Sequence, residues 1–187
     1  MSVFLEFLNQ LVPLDERTSI LVQSAVSKRL IKKKTILQRE GSVCRKFYFI
    51  EKGCARVYYH KDDKEITGWF GLEGMIVSCI DSLFTADKTI YNIELLEDSV
   101  LHTVQYDIIE QSFLDYPLLE RLGRLLVTQN YLLLDQRMKM IIFHSAEERY
   151  QLLLRQEPRA LQRIPLSYIA SYLNVTQETL SRIRAKY

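Results

Sequence analysis

Between residues 31 and 105, short runs rich in β-branched and aromatic residues alternate with turn signals. The runs are "KTILQ", "KFYFIEKG", "CARVYYH", "ITGWFGLEG", "IYNIELLED" and "SVLHTVQY", and Gly residues or polar stretches such as "KDDKE" separate them. Strands of this length and spacing predict a β-sandwich or a β-roll. The sequence contains no Gly-rich phosphate loop of the GxGxxG or GxxxxGK(S/T) type.

Helical periodicity flanks this strand-rich region on both sides. Residues 1–30 repeat apolar residues at helical spacing before and after Pro13, which predicts helices that pack against the next domain. The pattern returns over residues 107–144, where Pro117 punctuates a short segment before a long one. A further helix is predicted to begin at the cap Ser145 and to stop at Pro158. The predicted fold class is therefore α+β.

The long predicted helix carries a stripe with alternating spacings of three and four residues, as in a heptad seam. The stripe consists of Leu119, Leu122, Leu126, Gln129, Leu133, Gln136, Met140 and Phe143. We expect this helix to pair two subunits, with the two Gln side chains setting the register. The alternative is that the stripe packs on the β-domain. Leu118, Leu125 and Leu132 on an adjoining face are available for that packing instead.

The last 21 residues, "SYIASYLNVTQETLSRIRAKY", have the pattern of two short helices joined by a tight turn. The first is predicted over 167–173, with Ser167 as its cap. Asn174 tolerates the left-handed conformation that a tight turn needs, and Thr176 can cap a second helix. Leu180 and Ile183 would face inward. This spacing predicts a helix-turn-helix whose second helix enters the major groove of DNA.

The outward face of the second helix carries side chains that can bind base edges. Gln177 suits adenine, Arg182 suits guanine, and Glu178 can accept from cytosine. The predicted phosphate ligands are Ser167, Thr176, Thr179, Ser181, Arg184 and Lys186. The formal net charge is only +2, so positive charge for DNA must be concentrated locally, as it is from Arg163 onward. The alternative is a solvated terminal helix on a small helical subdomain.

The order of β-roll, long helix and helix-turn-helix resembles the Crp/Fnr superfamily of transcription regulators over nearly the whole chain. The resemblance depends on "FYFIEKGCARVYY", "GWFGLEG" and, most specifically, "IPLSYIASYLNVTQETLSRIRAKY". It implies a double-stranded β-helix like the cyclic-nucleotide-binding domain. It also implies that Gln177, Glu178 and Arg182 occupy the base-reading positions. Family members often have Arg where this chain has Gln177, so the preferred half-site should differ there.

The ligand-binding segment departs from the family pattern. In cyclic-nucleotide-binding members a Gly-Glu pair binds the ribose and an Arg-Ser or Arg-Thr pair binds the phosphate. Counted without gaps from Gly74, those positions hold Ser78 and Cys79, then Thr89 and Ile90. The guanidinium that would pair with a cyclic phosphate is missing, so we expect no cyclic AMP binding of the usual kind and no cofactor. Any other small-molecule effector would lie near Gly74, Ser78, Cys79, Thr89, Ile90 and Gln129.

Several function classes lack their residue patterns. His60, His102 and His144 do not show HxH or HExxH spacing, and the three cysteines form no CxxC pair. We therefore expect no metal site, no enzyme activity, no Fnr-type iron–sulfur cluster and free buried thiols. No stretch approaches the roughly 20 apolar residues of a membrane span, so the expected location is the cytoplasm without a membrane partner.

Together these features predict a homodimeric regulator that binds an inverted repeat in double-stranded DNA. RNA polymerase is a further candidate partner. The predicted domains are a sensor-like β-roll over 1–116, a dimerisation helix over 117–144 and a DNA-binding domain over 145–187. Many relatives carry a β-hairpin wing after the recognition helix, and we expect it to be absent or truncated here. The alternatives are a stand-alone ligand-sensing β-roll module without DNA binding and a cupin-like enzyme.

Overall fold

The computed structural model describes residues 2–186, in which helices flank a strand-rich centre. The helices are α1 Val3–Leu11, α2 Glu16–Ala25, α3 Ile80–Thr85, α4 Tyr106–Gln111, α5 Pro117–Phe143, α6 Ala146–Gln156, α7 Pro158–Arg163, α8 Leu166–Tyr172 and α9 Gln177–Arg184. The strands are β1 Val26–Ile31, β2 Ile36–Gln38, β3 Lys46–Lys52, β4 Ala55–Lys61, β5 Lys64–Gly71, β6 Ile76–Val77, β7 Asn92–Leu95 and β8 Ser99–Gln105. The predicted α+β class is confirmed.

Within residues 2–186 the strands form two four-stranded sheets, in the orders β1-β8-β3-β6 and β2-β7-β4-β5. Strand β8 lies between β1 and β3 and is antiparallel to both, so the chain returns repeatedly to neighbouring strands. This arrangement confirms the predicted β-roll. The turn after β3 requires Gly53, because its φ of +113° is strained for other residues and an added Cβ would collide with Ser99.

The chain divides into two compact units. The first comprises the residues up to Val57 together with Phe70–Gln129, and the second comprises Tyr58–Trp69 together with the residues from Asn130 onward. The division therefore falls inside α5 and inside the β4–β5 hairpin. The domain boundaries predicted from the sequence lie instead at the two ends of the long helix.

In the core of the first unit, the N-terminal helices α1 and α2 pack against the β-roll. The apolar face of α1 contributes Phe4, Leu5 and Leu8, and the Phe4 ring centroid lies 5.1 Å from that of Phe49 on β3. Burying each of these side chains is worth roughly 1.5–3 kcal/mol. The start of α5 completes the same cluster. The predicted packing of the N-terminal helices against the β-domain is observed.

Three elements differ from the sequence prediction. The helix expected to continue to residue 30 ends at Ala25, because Val26–Ile31 pairs along its whole length with β8. Long-range strand pairing overrides the local helical pattern there. The sequence also missed α3 and the two-residue strand β6, which pairs with β3 opposite Tyr48 and Phe49. Both elements are too short to produce a recognisable period.

The second unit has a helical core of its own. The capping box at Ser145 and Glu148 begins α6, as the sequence predicted for Ser145. Pro158 does more than stop α6, because it occupies the first turn of the next helix, α7, where its missing N–H costs nothing. The buried apolar residues of this unit are Tyr58 on β4 and, from α5 onward, Met140, Tyr150, Leu153, Ala160, Ile164, Ile169, Ala170, Leu173, Leu180 and Ile183.

Candidate nucleic-acid interface

A tight left-handed turn joins α8 to α9. Asn174 has a φ of +54°, which Asn tolerates better than most residues. The backbone N–H of Val175 then donates to the carbonyl of Ala170 at 3.0 Å, which closes the end of α8. The predicted role of Asn174 is confirmed. The turn sets the direction in which α9 leaves α8.

Helix α9 is capped and anchored as its sequence predicts. The Thr176 hydroxyl accepts a hydrogen bond from the backbone N–H of Thr179 at 3.2 Å, so Thr176 is the N-cap. Leu180 and Ile183 are buried in the core of the second unit. Since these two side chains lie on one face, the other face of α9 is turned to solvent.

The predicted base-reading residues share that exposed face. Gln177, Glu178 and Arg182 are all exposed, and Ser181 lies beside them. The Nη2 group of Arg182 donates a hydrogen bond to the Thr179 hydroxyl oxygen at 3.3 Å. Hydrogen bonding from its own backbone N–H, followed by the Thr176 hydroxyl, lowers the pKa of Glu178. Glu178 is therefore ionised at neutral pH and can only accept hydrogen bonds.

The predicted phosphate ligands occupy both ends of the motif. Helix α8 begins at Leu166, so Ser167 lies exposed in its first turn and is not the cap that the sequence predicted. Pro165 occupies the cap position and makes no side-chain hydrogen bond to the helix. Arg184 is exposed at the end of α9. The ammonium of Lys186 lies 2.8 Å from a carboxylate oxygen of Glu147 on α6.

Two contacts that the sequence did not reveal hold α8 in the second unit. The Ser171 hydroxyl accepts from the backbone N–H of Thr67 at 2.9 Å, which ties α8 to the β4–β5 hairpin. The guanidinium of Arg137 on α5 lies 3.7 Å from the centroid of the Tyr172 ring and also donates to the Tyr172 carbonyl oxygen. These partners are tens of residues apart, so no local pattern could have found them.

Comparisons with known proteins agree with this architecture. The family model described as the cyclic nucleotide-binding domain matches residues 28–116. Residues 28–116 are therefore similar to the cyclic nucleotide-binding domain, and the chain has the fold of solved Crp/Fnr-type proteins. At the level of the fold, the resemblance to the Crp/Fnr superfamily is confirmed. No curated protein sequence matches the chain.

Solved structures of Crp/Fnr-type proteins have the same fold over most of the chain. FixK2 from Bradyrhizobium japonicum superposes with a TM-score of 0.74 at 20% identity, covering 86% of this chain and 83% of that one. A protein assigned to the Crp/Fnr family of regulators, from Eubacterium rectale, gives 0.75 at 17% identity, covering 97% and 87%. The c-di-GMP-responsive regulator CLP from Xanthomonas campestris gives 0.70 at 18% identity, covering 92% and 91%.

Within the cyclic nucleotide-binding domain, the residues predicted to line an effector pocket differ in environment. Cys79 and Thr89 are buried and Ser78 is half-buried, whereas Gly74 and Ile90 are exposed. The Thr89 hydroxyl donates to the carboxylate of Asp81 at 3.1 Å. Gln129, predicted for the same pocket, is exposed on α5. The buried members are thus engaged by the domain's own groups.

The apolar stripe predicted for subunit pairing is split along α5 of this Crp/Fnr fold. Leu119 and Leu122 are 3% and 2% exposed in the core of the first unit, Leu126 packs against that core, and Met140 is buried. Because Leu119, Leu122 and Met140 are covered by the chain's own core, they cannot pair with a second subunit, and the seam prediction is wrong for these three residues. Gln129, Leu133, Gln136 and Phe143 are exposed. The adjoining Leu118 and Leu125 also pack on the core, as the dimer-helix prediction expected of them, while Leu132 is exposed.

A different face of α5 is both apolar and exposed. Tyr131, Leu134, Met138 and Ile142 are 71%, 57%, 55% and 62% exposed. Val127, one turn earlier, is exposed as well. Their spacings of three and four residues place them on one side of the helix. We call this set the exposed α5 stripe.

Within residues 2–186, no three His, Cys, Asp or Glu side chains come close enough together to hold a metal ion. Over the same residues, every helix is either too short or too polar to cross a membrane.

Proposed function

We propose that this chain is a sequence-specific DNA-binding transcription regulator of Crp/Fnr type that binds an inverted repeat as a homodimer. The observation that supports this best is the face of α9. Its inner residues Leu180 and Ile183 are buried, while Gln177, Glu178 and Arg182 are exposed beside the cap. A recognition helix needs this division between an anchored face and a face that can enter the major groove.

The side chains on α9 suit direct reading of base edges. The guanidinium of Arg182 can bind guanine O6 and N7 together, and the Gln177 amide can bind adenine N6 and N7. The ionised Glu178 carboxylate accepts from cytosine N4. Each good pair is worth about 1–3 kcal/mol of discrimination against the wrong base. Phosphate contacts from the predicted set around them would fix the register without reading sequence.

The exposed α5 stripe supports the dimeric part of the proposal. Five exposed apolar side chains along one side of a helix are costly to leave in water, and a second copy of the same stripe would cover them. Two-fold pairing would give an inverted-repeat operator with half-sites roughly 10–11 bp apart. RNA polymerase, as a further partner, and the cytoplasmic location stay predictions of the sequence.

The test is selection of bound sequences from a random double-stranded DNA library at low salt. We expect an enriched palindrome for the native chain. Arg182→Ala and Gln177→Ala should each relax one base pair per half-site, at different positions. Arg155→Ala is the matched control, because Arg155 is an exposed arginine of α6 outside the predicted interface. It should leave the palindrome unchanged.

Two outcomes would contradict the proposal. In the first, the folded chain enriches no DNA sequence, whether it is tested alone or with small molecules extracted from cells. That result would favour a ligand-sensing module without DNA binding. Enrichment that Arg182→Ala and Gln177→Ala leave intact at every position would show that α9 is not the reading helix.

A further inference from the structure

A cleft opens on the surface of the first unit, between its N-terminal helices and the sheet that contains β1 and β8. Its volume is about 400 Å³, and it is lined by Ser2 at the start of α1, Gln23 on α2, Val26 and Lys28 on β1, and His102 on β8. A space of this size accepts a small organic molecule. None of the five residues belongs to the set predicted for an effector pocket.

His102 is the most deeply buried residue of the cleft, with 1% of its surface exposed. Its Nε2 atom lies 2.5 Å from a carboxylate oxygen of Glu51 on β3. The centroid of the imidazole lies 5.7 Å from that of the Phe4 ring and 5.8 Å from that of the Phe49 ring. One carboxylate and two aromatic rings therefore fix the orientation of the imidazole.

The second ring nitrogen of His102 is available to a ligand. Among residues 2–186, no group forms a hydrogen bond with Nδ1. Hydrogen bonding from Lys28, followed by that from His102, lowers the pKa of Glu51, so Glu51 is a carboxylate that accepts from the Nε2–H group. In the neutral imidazole, Nδ1 then has a free lone pair that can take up a proton.

The other polar groups of the cleft are hydrogen-bond donors with unused capacity. The Lys28 ammonium lies 2.7 Å from Glu51, its side chain is 53% exposed, and it has two further N–H groups. The Ser2 hydroxyl oxygen accepts from the backbone N–H of Leu5 at 3.3 Å, which leaves its O–H free to donate. Gln23 is exposed and adds an amide NH₂ group. Ser2 is also the N-cap of α1, whose dipole favours a negative charge.

The charges of the cleft suit a ligand with one negative charge. Glu51 on β3 and Lys28 on β1 are the charged groups next to the imidazole, and they neutralise each other. The side chains that α1 and α2 bring to the site, Phe4 and Gln23, are uncharged. A proton on Nδ1 gives the site one net positive charge, which a monoanion balances. A dianion would leave an excess negative charge beside Glu51.

We propose that this cleft binds a small organic carboxylate and that binding adds one proton to Nδ1 of His102. The carboxylate accepts hydrogen bonds from Nδ1–H and from the Lys28 ammonium, both of which are charged donors. The proton comes from solvent, and the N–H bond is the only covalent bond that forms. Gln23 and Ser2 donate at the rim, and Val26 forms an apolar wall. The proposal is independent of DNA binding.

The competing explanation is purely structural. The bond between His102 and Glu51 joins β8 to β3, and it could serve only to hold these strands together. That role needs no second partner for the imidazole and predicts no response to carboxylates. The two explanations therefore differ in a property that can be measured on the native chain.

The test is a titration of the full-length protein with sodium acetate and with sodium benzoate, followed through the NMR signals of its three histidine rings. The signals that His60→Gln and His144→Gln remove identify the remaining ring as His102. We expect both carboxylates to shift the His102 signals saturably, and sodium chloride at equal ionic strength to leave them unchanged. Affinity should rise by up to about tenfold for each unit that the pH is lowered between about pH 8 and pH 6.

Variants at exposed positions test the cleft without disturbing the core. Gln23→Glu places a carboxylate at the rim and should weaken acetate binding about fivefold. Ser24→Glu is its matched control, because it adds the same charge at the next exposed position of α2, outside the cleft lining. It should have a much smaller effect.

Lys28→Gln removes the cation and should abolish saturable binding. Lys32→Gln is the control for Lys28→Gln, since the Lys32 ammonium forms an equivalent exposed pair with Asp98 at 2.7 Å away from the cleft lining. It should bind acetate as the native chain does.

Four results would overturn the proposal. The first is a His102 signal that neither carboxylate shifts in the folded protein. The second is an equal shift with chloride, which would mean an adventitious ion only. The third is an affinity that does not change with pH, and the fourth is equal weakening by Gln23→Glu and Ser24→Glu. Because acetate contains the group that the proposal requires and is smaller than the cleft, its failure to bind is decisive.

Discussion

The guanidinium carbon of Arg137 lies 3.7 Å from the centroid of the Tyr172 ring, and the same side chain donates a hydrogen bond to the Tyr172 carbonyl oxygen. Arg137 comes from α5, and Tyr172 is the last residue of α8. Burial lowers the pKa of Arg137, and the nearby Tyr172 opposes that effect. One side chain thus connects the long helix to the first helix of the candidate DNA-binding motif.

Replacing Arg137 should destabilise the second unit. Arg137→Ala removes a cation–π contact and a hydrogen bond from a charged donor, so we expect the free energy of unfolding to fall by about 1–3 kcal/mol. Lys139→Ala is the control, since the Lys139 ammonium forms an exposed pair with Asp135 on the same helix, worth about 0.3–0.5 kcal/mol. Equal losses in urea denaturation of the two variants would contradict this role for Arg137.

The exposed α5 stripe should decide the oligomeric state. Leu134→Glu places a charge at the centre of the stripe, where a second copy would bury it without a partner, and we expect the dimer to dissociate to monomers. Leu133→Glu is the matched control, because Leu133 is exposed on a different side of α5. Sedimentation equilibrium checks both. A dimer that survives Leu134→Glu and dissociates with Leu133→Glu would restore the seam that the sequence predicted.

Asn174, which has a left-handed conformation in the turn, should tolerate replacement by Gly but not by a β-branched residue. Asn174→Val forces a β-branched residue to a φ of +54°, and we expect a loss of about 1–2 kcal/mol in unfolding free energy. Asn174→Gly relieves that restriction and should stay within about 0.5 kcal/mol of the native chain. Thermal unfolding measures the difference. Similar melting temperatures for the two variants would show that the turn adopts another conformation.

The ion pair between Lys186 and Glu147 should compete with DNA. Lys186→Ala should weaken binding to all sequences alike and reduce the slope of log affinity against log salt by about 1. Glu147→Gln removes the intramolecular carboxylate, so we expect binding to tighten by up to about fivefold. Fluorescence anisotropy titrations over a range of salt concentrations measure both. Weaker binding by Glu147→Gln would mean that Glu147 positions the lysine for DNA.

The local structure of the candidate DNA-binding motif could be predicted in detail. Thr176, Asn174 and the pair Leu180 and Ile183 all have the conformation or burial that their local pattern indicates. Caps, tight turns and amphipathic faces depend on residues within one or two helical turns, so adjacent sequence is enough to specify them.

The predictions about α5 and β1 were less accurate for a common reason. A helical stripe in the sequence does not say which partner covers it, and Leu119 and Leu122 are covered by the chain's own core. Likewise, the sequence of Val26–Ile31 has a helical pattern, but the segment forms strand β1 because it pairs with β8. Each outcome depends on residues far away in the sequence.

The sequence by itself determined the alternation of strands, the long helix and the capped motif at the end of the chain, because each follows from a short-range period or a cap. Only the tertiary structure decided that Arg137 stacks on Tyr172 and which face of α5 stays exposed. These relationships arise when strand pairing and core burial bring distant segments together, and no local pattern encodes which segments will meet.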